Sequence, residues 1–181
     1  SNAYESVNVA AGATVTSQLK LADQGEMTVA PGGMVLVTDG SDAVVAEGSA
    51  DIENAGLIQA LGMQGASFAK AIVTNGGTIH NKAGGTILAM GTAIASGAAA
   101  GAGVDIVNEG MIQSLTGQAI AFSGDQDDSV VNKGMINGSV DLGAGDDTLS
   151  IHTGSSITGA VTGGEGADTI KLVGTTPATV G

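Results

Sequence analysis

The sequence repeats one phrase four times, Asn-x-Gly-x-Ile: Asn54-Ala55-Gly56-Leu57-Ile58, Asn75-Gly76-Gly77-Thr78-Ile79, Asn108-Glu109-Gly110-Met111-Ile112 and Asn132-Lys133-Gly134-Met135-Ile136. The final isoleucines are 21, 33 and 24 residues apart, and Ile157 follows after another 21. A period in the low twenties, with one apolar residue at a fixed phase, predicts a solenoid in which each repeat is one stacked coil. Function then depends on an extended outer surface and not on a single enclosed pocket.

The last two coils show the internal organisation best, because residues 136–149 align with residues 157–170. Short alternating apolar runs are separated by Gly and Asp, which indicates strands and turns within each coil. No segment has the period and caps of a helix. Equivalent strands of successive coils are expected to pair in parallel at about 4.8 Å. Seven coils are predicted, or eight if the end is counted, from the core positions Val15, Val35, Ile58, Ile79, Ile112, Ile136 and Ile157.

The repeat divides the chain unevenly. Residues 1–3 resemble an expression-tag scar, residues 4–50 are interpreted as degenerate N-terminal coils, and residues 51–181 as regular coils. The 33-residue interval exceeds a 21-residue period by 12 residues. We assign this excess to a loop insertion near 93–103, the Gly/Ala/Ser-rich segment Ala93–Gly103.

The composition excludes several classes of function. Hydrophobic residues make up 43% of the chain, but the only aromatic residues are Tyr4, Phe68 and Phe122, which favours a thin aliphatic core. A net charge of −13, with 5 lysines and no arginine, argues against binding to nucleic acid or anionic membranes. The chain has no cysteine and no stretch of 18 apolar residues, so we expect no disulfide and no membrane insertion by this segment.

Alternation along the strands assigns side chains to the inside and the outside. If Ile112 and Ile136 point inward, Met111 and Met135 point outward. Leu57 has the same phase, with Thr78 between, so an apolar interaction stripe of Leu57, Met111 and Met135 is predicted. The stripe would dock against another chain, a neighbouring domain, or a loop such as Ala93–Gly103. The asparagines of the phrase, Asn54, Asn75, Asn108 and Asn132, are expected to stack as a structural ladder.

The acidic turns suggest a metal site. Residues 163–171 satisfy the calcium nonapeptide pattern G-G-x-G-x-D-x-U-x, and residues 142–150 satisfy it except for the first glycine. Asp146, Asp147 and Asp168 are therefore calcium candidates, because calcium prefers carboxylate and carbonyl oxygens. The two copies are 21 residues apart, however, whereas the known cage repeats every nine residues. The alternative is that Asp147 and Asp168 accept backbone N–H bonds at turns.

A carbohydrate-active β-helix enzyme is the other alternative. A glycosidase needs two carboxylates across a cleft, and the acidic turns offer Asp125, Asp127, Asp128, Asp146 and Asp147. The chain lacks arginine clamps, and it offers few aromatic platforms for sugars. We therefore expect no enzymatic activity, no catalytic residue and no bound cofactor apart from the calcium candidates.

The Asn-x-Gly-x-Ile coils, followed by Gly-x-Gly-x-Asp-Thr-Ile segments, resemble the passenger regions of bacterial autotransporters, including the pertactin-like and diffuse-adherence-adhesin-like passengers. The resemblance covers Asp51 to Leu172 well and Tyr4 to Ala50 loosely. It implies an all-β fold, a right-handed parallel β-helix of about 7–8 coils of roughly 21–24 residues. It also implies type V secretion to the bacterial cell surface or the medium. The implied role is structural or adhesive, with a host-cell or neighbouring-cell surface component, or a second copy, as partner.

Overall fold

The computed structural model describes residues 3–97, 101–174 and 179–181, and every regular element in these ranges is a β-strand. The strands are β1 (Tyr4–Val9), β2 (Thr14–Val15), β3 (Leu19–Val29), β4 (Met34–Val37), β5 (Val44–Ala46), β6 (Ala50–Asn54), β7 (Leu57–Ala60), β8 (Met63–Gln64), β9 (Ser67–Phe68), β10 (Ile72–Thr74), β11 (Gly77–Asn81), β12 (Thr86–Ala89), β13 (Ile94–Ser96), β14 (Val104–Asn108), β15 (Met111–Ala121), β16 (Ser129–Asn132), β17 (Met135–Asp141), β18 (Thr148–His152), β19 (Ser156–Ile157), β20 (Val161–Thr162), β21 (Thr169–Val173) and β22 (Thr179–Val180). None of the described residues forms a helix that could cross a membrane.

The strands line three faces of a parallel β-solenoid, and the chain visits faces A, B and C in that order in each coil. Face A contains β1, the end of β3, β6, β11, β14, β16, β18 and β21. Face B contains β2, β4, β7, β12, the starts of β15 and β17, β19 and β22. Face C contains the start of β3, β5, β10, β13, the ends of β15 and β17, and β20. The predicted parallel β-helix of about seven turns is confirmed.

Three columns of aliphatic side chains fill the interior, one behind each face. The columns include Ile52, Ile79, Ile106, Val130 and Leu149 behind face A; Ile58, Ile87, Ile112, Ile136 and Ile157 behind face B; and Val44, Ile72, Ile94, Ile120 and Val140 behind face C. All of these side chains are buried. Burying one such side chain contributes about 1.5–3 kcal/mol, so the columns supply most of the driving force for stacking. Among the described residues, Phe122 is the one buried aromatic side chain.

The placement of Ile79 on the face B column was wrong. Ile79 pairs with Ile52 and Ile106 on face A, and Ile87 pairs with Ile58 and Ile112 on face B. The true counterpart of the phrase in this coil is Asn81-Lys82-Ala83-Gly84-Gly85-Thr86-Ile87, whose turn has two additional residues. Asn75-Gly76-Gly77-Thr78-Ile79 matches the phrase by letter, but it leads into a face A strand. The apparent 33-residue interval therefore disappears.

The loop predicted for Ala93–Gly103 is also wrong over part of its length. Ile94–Ser96 forms β13, which pairs with β10 and β15, and Ala93 and Ile94 are buried in the core. Residues 98–100 lie outside the described residues. The longest coil runs from Ile58 to Ile87, and it carries a two-stranded antiparallel hairpin instead, formed by β8 and β9. This hairpin projects at the corner between faces B and C.

An asparagine ladder runs inside the corner between faces A and B. The side chain of Asn54 donates to the Asn81 side chain at 3.0 Å, Asn81 to Asn108 at 2.9 Å, and Asn108 to Asn132 at 2.9 Å. All four are fully buried, so each amide satisfies polar groups that water does not reach. Asn75 was wrongly included, because it lies at the corner between faces C and A, where its Nδ2 donates to the Glu47 carbonyl at 3.2 Å.

The glycine of the repeated phrase is explained by close approach between coils. A Cβ atom on Gly56, Gly110 or Gly134 would lie closer than 3.0 Å to the carbonyl oxygen of the glycine one coil earlier. Real Cβ atoms essentially never come so close to another atom. The asparagine and the glycine of Asn-x-Gly-x-Ile therefore serve the same corner, one by hydrogen bonding and the other by leaving space.

Candidate functional site

The outward side chains of face B form two rows along the solenoid. The first row is Met34, Leu57, Thr86, Met111 and Met135, and the second is Leu36, Gln59, Leu88, Gln113 and Asn137. Each of these five coils contributes at least one Met or Leu to the surface. We call the six apolar residues the Met/Leu face: Met34, Leu36, Leu57, Leu88, Met111 and Met135.

The structure places Leu57, Met111 and Met135 in one row, as expected from the sequence, whereas their role in binding stays a prediction. The position of Thr78 was wrong. Thr78 pairs with Asp51 and Asp105 on face A, and Thr86 occupies the place between Leu57 and Met111. Because the repeated phrase was assigned to residues 75–79, Leu88 was not predicted as an outward residue of face B, although it follows the core residue Ile87.

Met34 and Leu36 were also missed, although alternation around the core residue Val35 carried the signal. Both lie on β4, which pairs with β7 in register. The Met/Leu face is partly exposed, and Met135 is 43% exposed. The segment predicted as a covering loop does not shield it where it is described. β13 belongs to face C, and the Gly103 carbonyl accepts from Gly77 N at the edge of face A.

Face B contains no charged residue in any of its described strands. The acidic residues instead concentrate elsewhere. Five lie on face A, namely Glu5, Glu26, Asp51, Glu53 and Asp105. Nine lie at the corner between faces C and A, namely Asp23, Glu47, Asp125, Asp127, Asp128, Asp146, Asp147, Glu165 and Asp168. The chain with net charge −13 thus has one uncharged wall.

Carboxylates at the C–A corner connect successive coils. The Asp168 carboxylate accepts a hydrogen bond from the backbone N–H of Asp147 at 3.0 Å. The Asp147 carboxylate accepts one from the backbone N–H of Asp128 at 2.7 Å. The Asp128 carboxylate accepts one from the backbone N–H of Val104 at 2.8 Å. Asp146 accepts from Ala167 N at 2.8 Å. The expected hydrogen-bonding role of Asp147 and Asp168 is confirmed, and the bonds cross between coils instead of closing one turn.

The calcium candidates Asp146, Asp147 and Asp168 lie on the two adjacent acidic turns, with one carboxylate oxygen of each bound to a backbone N–H group. Within residues 3–97, 101–174 and 179–181, no group of three or more His, Cys, Asp or Glu side chains is arranged to hold a metal ion. Oδ2 of Asp147 is buried and has no hydrogen-bond partner. Calcium binding stays a prediction.

Burial perturbs two of these carboxyl groups. It raises the pKa of Asp128 to about 6, although the Val104 N–H opposes the shift and neighbouring aspartates add to it. Burial is also the largest cause that raises the pKa of Asp147, and the Asp128 N–H opposes it. Asp128 is 5% exposed and Asp147 is 1% exposed, which leaves little water to stabilise their charges.

The raised pKa of Asp128 predicts that acidification stabilises the fold. The folded state binds a proton at about pH 6, whereas the unfolded chain binds it near the ordinary value of 3.8, so the free energy of unfolding rises as pH falls through this interval. We expect a gain on the order of 1–2 kcal/mol between pH 7 and about pH 4.5. Urea unfolding of wild type and Asp128→Asn at both pH values measures it. The Asn variant keeps the acceptor for Val104 N–H and should show a clearly smaller gain; equal gains would contradict the assignment.

Open clefts flank the projecting hairpin and part of face A. Two clefts of ≈ 350 and ≈ 360 Å³ lie beside the hairpin, and both are lined by Ser67, Phe68 and Lys70. Another, of ≈ 300 Å³, is lined by Glu26 and Asp51. None of these three clefts is lined by an aspartate from the acidic turns that the enzyme alternative requires. The absence of enzymatic activity stays a prediction.

The comparisons with known proteins add no relative to this description. No protein-family model matches the chain, and neither a search of curated proteins nor a search of solved structures finds a match. The function is therefore argued from the solenoid and its surfaces.

Proposed function

We propose that this chain is a segment of an autotransporter-like passenger, displayed at the bacterial cell surface or secreted, and that it acts as a stalk or an adhesion surface. The observation that carries the proposal is the unbroken stacking of the coils. On face B, strand pairing continues from Thr14–Val15 through each coil to Thr179–Val180. Seven spacings of about 4.8 Å give a rod of roughly 34 Å.

The continuous core supports a display role because it makes the coils one body. The columns of aliphatic side chains tie each coil to its neighbours, and the asparagine ladder joins four of the coils, so the rod holds its faces at fixed positions. Binding would be spread over the outer faces and the hairpin. The partner would be a host-cell or neighbouring-cell surface component, or a second copy of the chain. Fourteen carboxylates on face A and at the C–A corner disfavour partners with acidic surfaces there.

Surface labelling tests display directly. Antibodies raised against this chain should label intact, unpermeabilised bacteria that express the natural full-length gene, and protease treatment of intact cells should remove the label. An antibody against a cytoplasmic protein is the control for cell integrity. Label that appears only after permeabilisation, with no antigen in the medium, would contradict the proposal. Loss of adherence after deletion of the gene would separate an adhesive role from a stalk.

A further inference from the structure

We infer that the Met/Leu face is a contact surface for a second copy of this chain, which packs against it face to face with its rod antiparallel. The inference rests on the proposed function only for the location of the contact at the cell surface. The contact itself is tested in solution, so either proposal can fail alone. Three features of the described residues support a second copy as the occupant: the charge distribution, the spacing of the coils and the order of residues along the rows.

The charge distribution restricts how two copies can approach. Each copy carries a net charge of −13. Apposing two face A surfaces would bring the carboxylates of one copy, including Glu26, Asp51, Glu53 and Asp105, close to the same set of carboxylates of the other copy. Face B has no charged residue in its described strands, so two copies meet there without opposing carboxylates. A basic partner would instead be attracted to face A or the C–A corner. The uncharged wall therefore suits self-contact better than contact with a basic partner.

The spacing of the rows suits the same partner. Successive coils repeat at about 4.8 Å, and face B of a second copy presents side chains at the same interval over several coils. Two sheets pack face to face at about 10 Å, with side chains from both inner faces interdigitating. The Met side chains are flexible and fill the irregular gaps that such a surface leaves.

The order of residues is self-complementary about β12. A two-fold axis along this strand places Met34 opposite Met135 of the second copy and Leu57 opposite Met111. In the second row it places Gln59 opposite Gln113, whose amides can donate to and accept from each other. Thr86 and Leu88 then meet their own counterparts. Apolar side chains oppose apolar side chains throughout the first row, except at Thr86, whereas in the second row Leu36 faces the polar side chain of Asn137.

The size of the surface sets the strength of the contact. Five strands at about 4.8 Å span roughly 20 Å along the rod, and three residues of each strand span roughly 10 Å across it. The resulting patch of roughly 200 Å² is well below the surface of about 800 Å² per partner of a standard interface. We therefore expect weak association between free copies. Many copies displayed side by side would strengthen it by avidity.

Sedimentation equilibrium at high protein concentration measures the self-association. Met111→Lys should lower the association constant at least tenfold, because it buries an unpaired charge in the contact. Thr148→Lys, an outward position on face A, adds the same charge and should change the constant less than twofold. Both variants reduce the net charge from −13 to −12, so general repulsion cannot explain a difference. Raising the salt concentration should strengthen association, because it screens the remaining repulsion.

Single cysteines give an independent readout, because the chain contains none. Thr86→Cys should form a covalent dimer with a short bis-maleimide, since Thr86 meets its own counterpart in the antiparallel pair. Thr148→Cys is the matched control. Dimer yield at least fivefold above the control supports the contact. A wild-type chain that stays monomeric at the highest soluble concentration, or equal yields from the two cysteine variants, would overturn it.

Discussion

Asn108→Ala is expected to destabilise the protein by about 3–5 kcal/mol. Asn108 Nδ2 donates to Asn132 at 2.9 Å and to the Met135 carbonyl at 3.0 Å, and its Oδ1 accepts from Asn81 at 2.9 Å. Truncation removes these bonds, together with the bond from Nδ2 to the Gly110 carbonyl at 3.3 Å, from a fully buried position and leaves a cavity between two coils. Two neighbouring asparagines each lose a partner, so the cost exceeds that of one hydrogen bond. The urea midpoint of the variant, compared with that of wild type, measures it.

Asn137→Ala is the matched control for this prediction. Asn137 points outward on face B, and its side-chain amide is 3.7 Å from the sulfur of Met111. The same amide is removed there, but no buried partner is left unsatisfied, so the cost should stay below about 1 kcal/mol. If the two variants unfold at the same urea concentration, the ladder does not stabilise the solenoid as we describe.

Gly110→Ala should be nearly as damaging, with a loss of about 3–5 kcal/mol. A Cβ atom at this position would lie closer than 3.0 Å to the carbonyl oxygens of Gly85 and Lys82. Both obstacles are backbone atoms, so no side-chain rotation relieves the contact and the two coils must separate. Separation would also lengthen the adjacent Asn81–Asn108 bond. Urea unfolding followed by circular dichroism gives the loss of stability.

Gly84→Ala separates this clash from ordinary backbone strain. Gly84 has a φ of 83°, and a methyl group on its Cα would have no other atom within 4 Å. Alanine there costs only the strain of a left-handed conformation, about 1–2 kcal/mol. Gly110 is not among the glycines with positive φ, so its substitution tests the close approach of the coils alone. A greater loss of stability for Gly84→Ala than for Gly110→Ala would contradict the explanation by close approach.

The architecture was predictable because the pattern that encodes it is local. Alternation around Val35, Ile58, Ile112, Ile136 and Ile157 correctly placed these residues on one core column and assigned Met111 and Met135 to the surface. A strand with one buried face shows its period in any short window of sequence. Stacking then follows from the requirement to bury that face.

The register of one coil was not predictable from letters alone. Asn75-Gly76-Gly77-Thr78-Ile79 fits the phrase, yet Asn81 enters the ladder. Turns at the A–B corner differ by two residues between coils, and only pairing with the coils on both sides distinguishes the two candidates. The error displaced Thr78 and concealed Leu88. It also moved the excess length to Ala93–Gly103, although the longest coil is the one that carries the hairpin.

The inter-coil bonds of the acidic turns show a similar limit of local patterns. The sequence offered hydrogen-bond acceptance by Asp147 and Asp168 at turns as the alternative to calcium binding, but the donors belong to residues about twenty positions away. Asp128 lies in a looser copy of the same acidic turn, residues 124–130, at the position equivalent to Asp147. That pattern does not reveal the burial that, with the neighbouring aspartates, raises the pKa of Asp128 to about 6. Its environment exists only after two coils have stacked.

The hairpin at the B–C corner has a consequence for how such a rod diversifies. Its two strands lengthen one coil, yet the wall strands before and after it stay in register with both neighbours. Corner segments can therefore gain or lose residues without disturbing the wall strands. The corners can vary in sequence and length while the stacked scaffold is kept. Grafting a foreign peptide between Gln64 and Ser67 should exploit this freedom, since the tip of the hairpin lies in solvent.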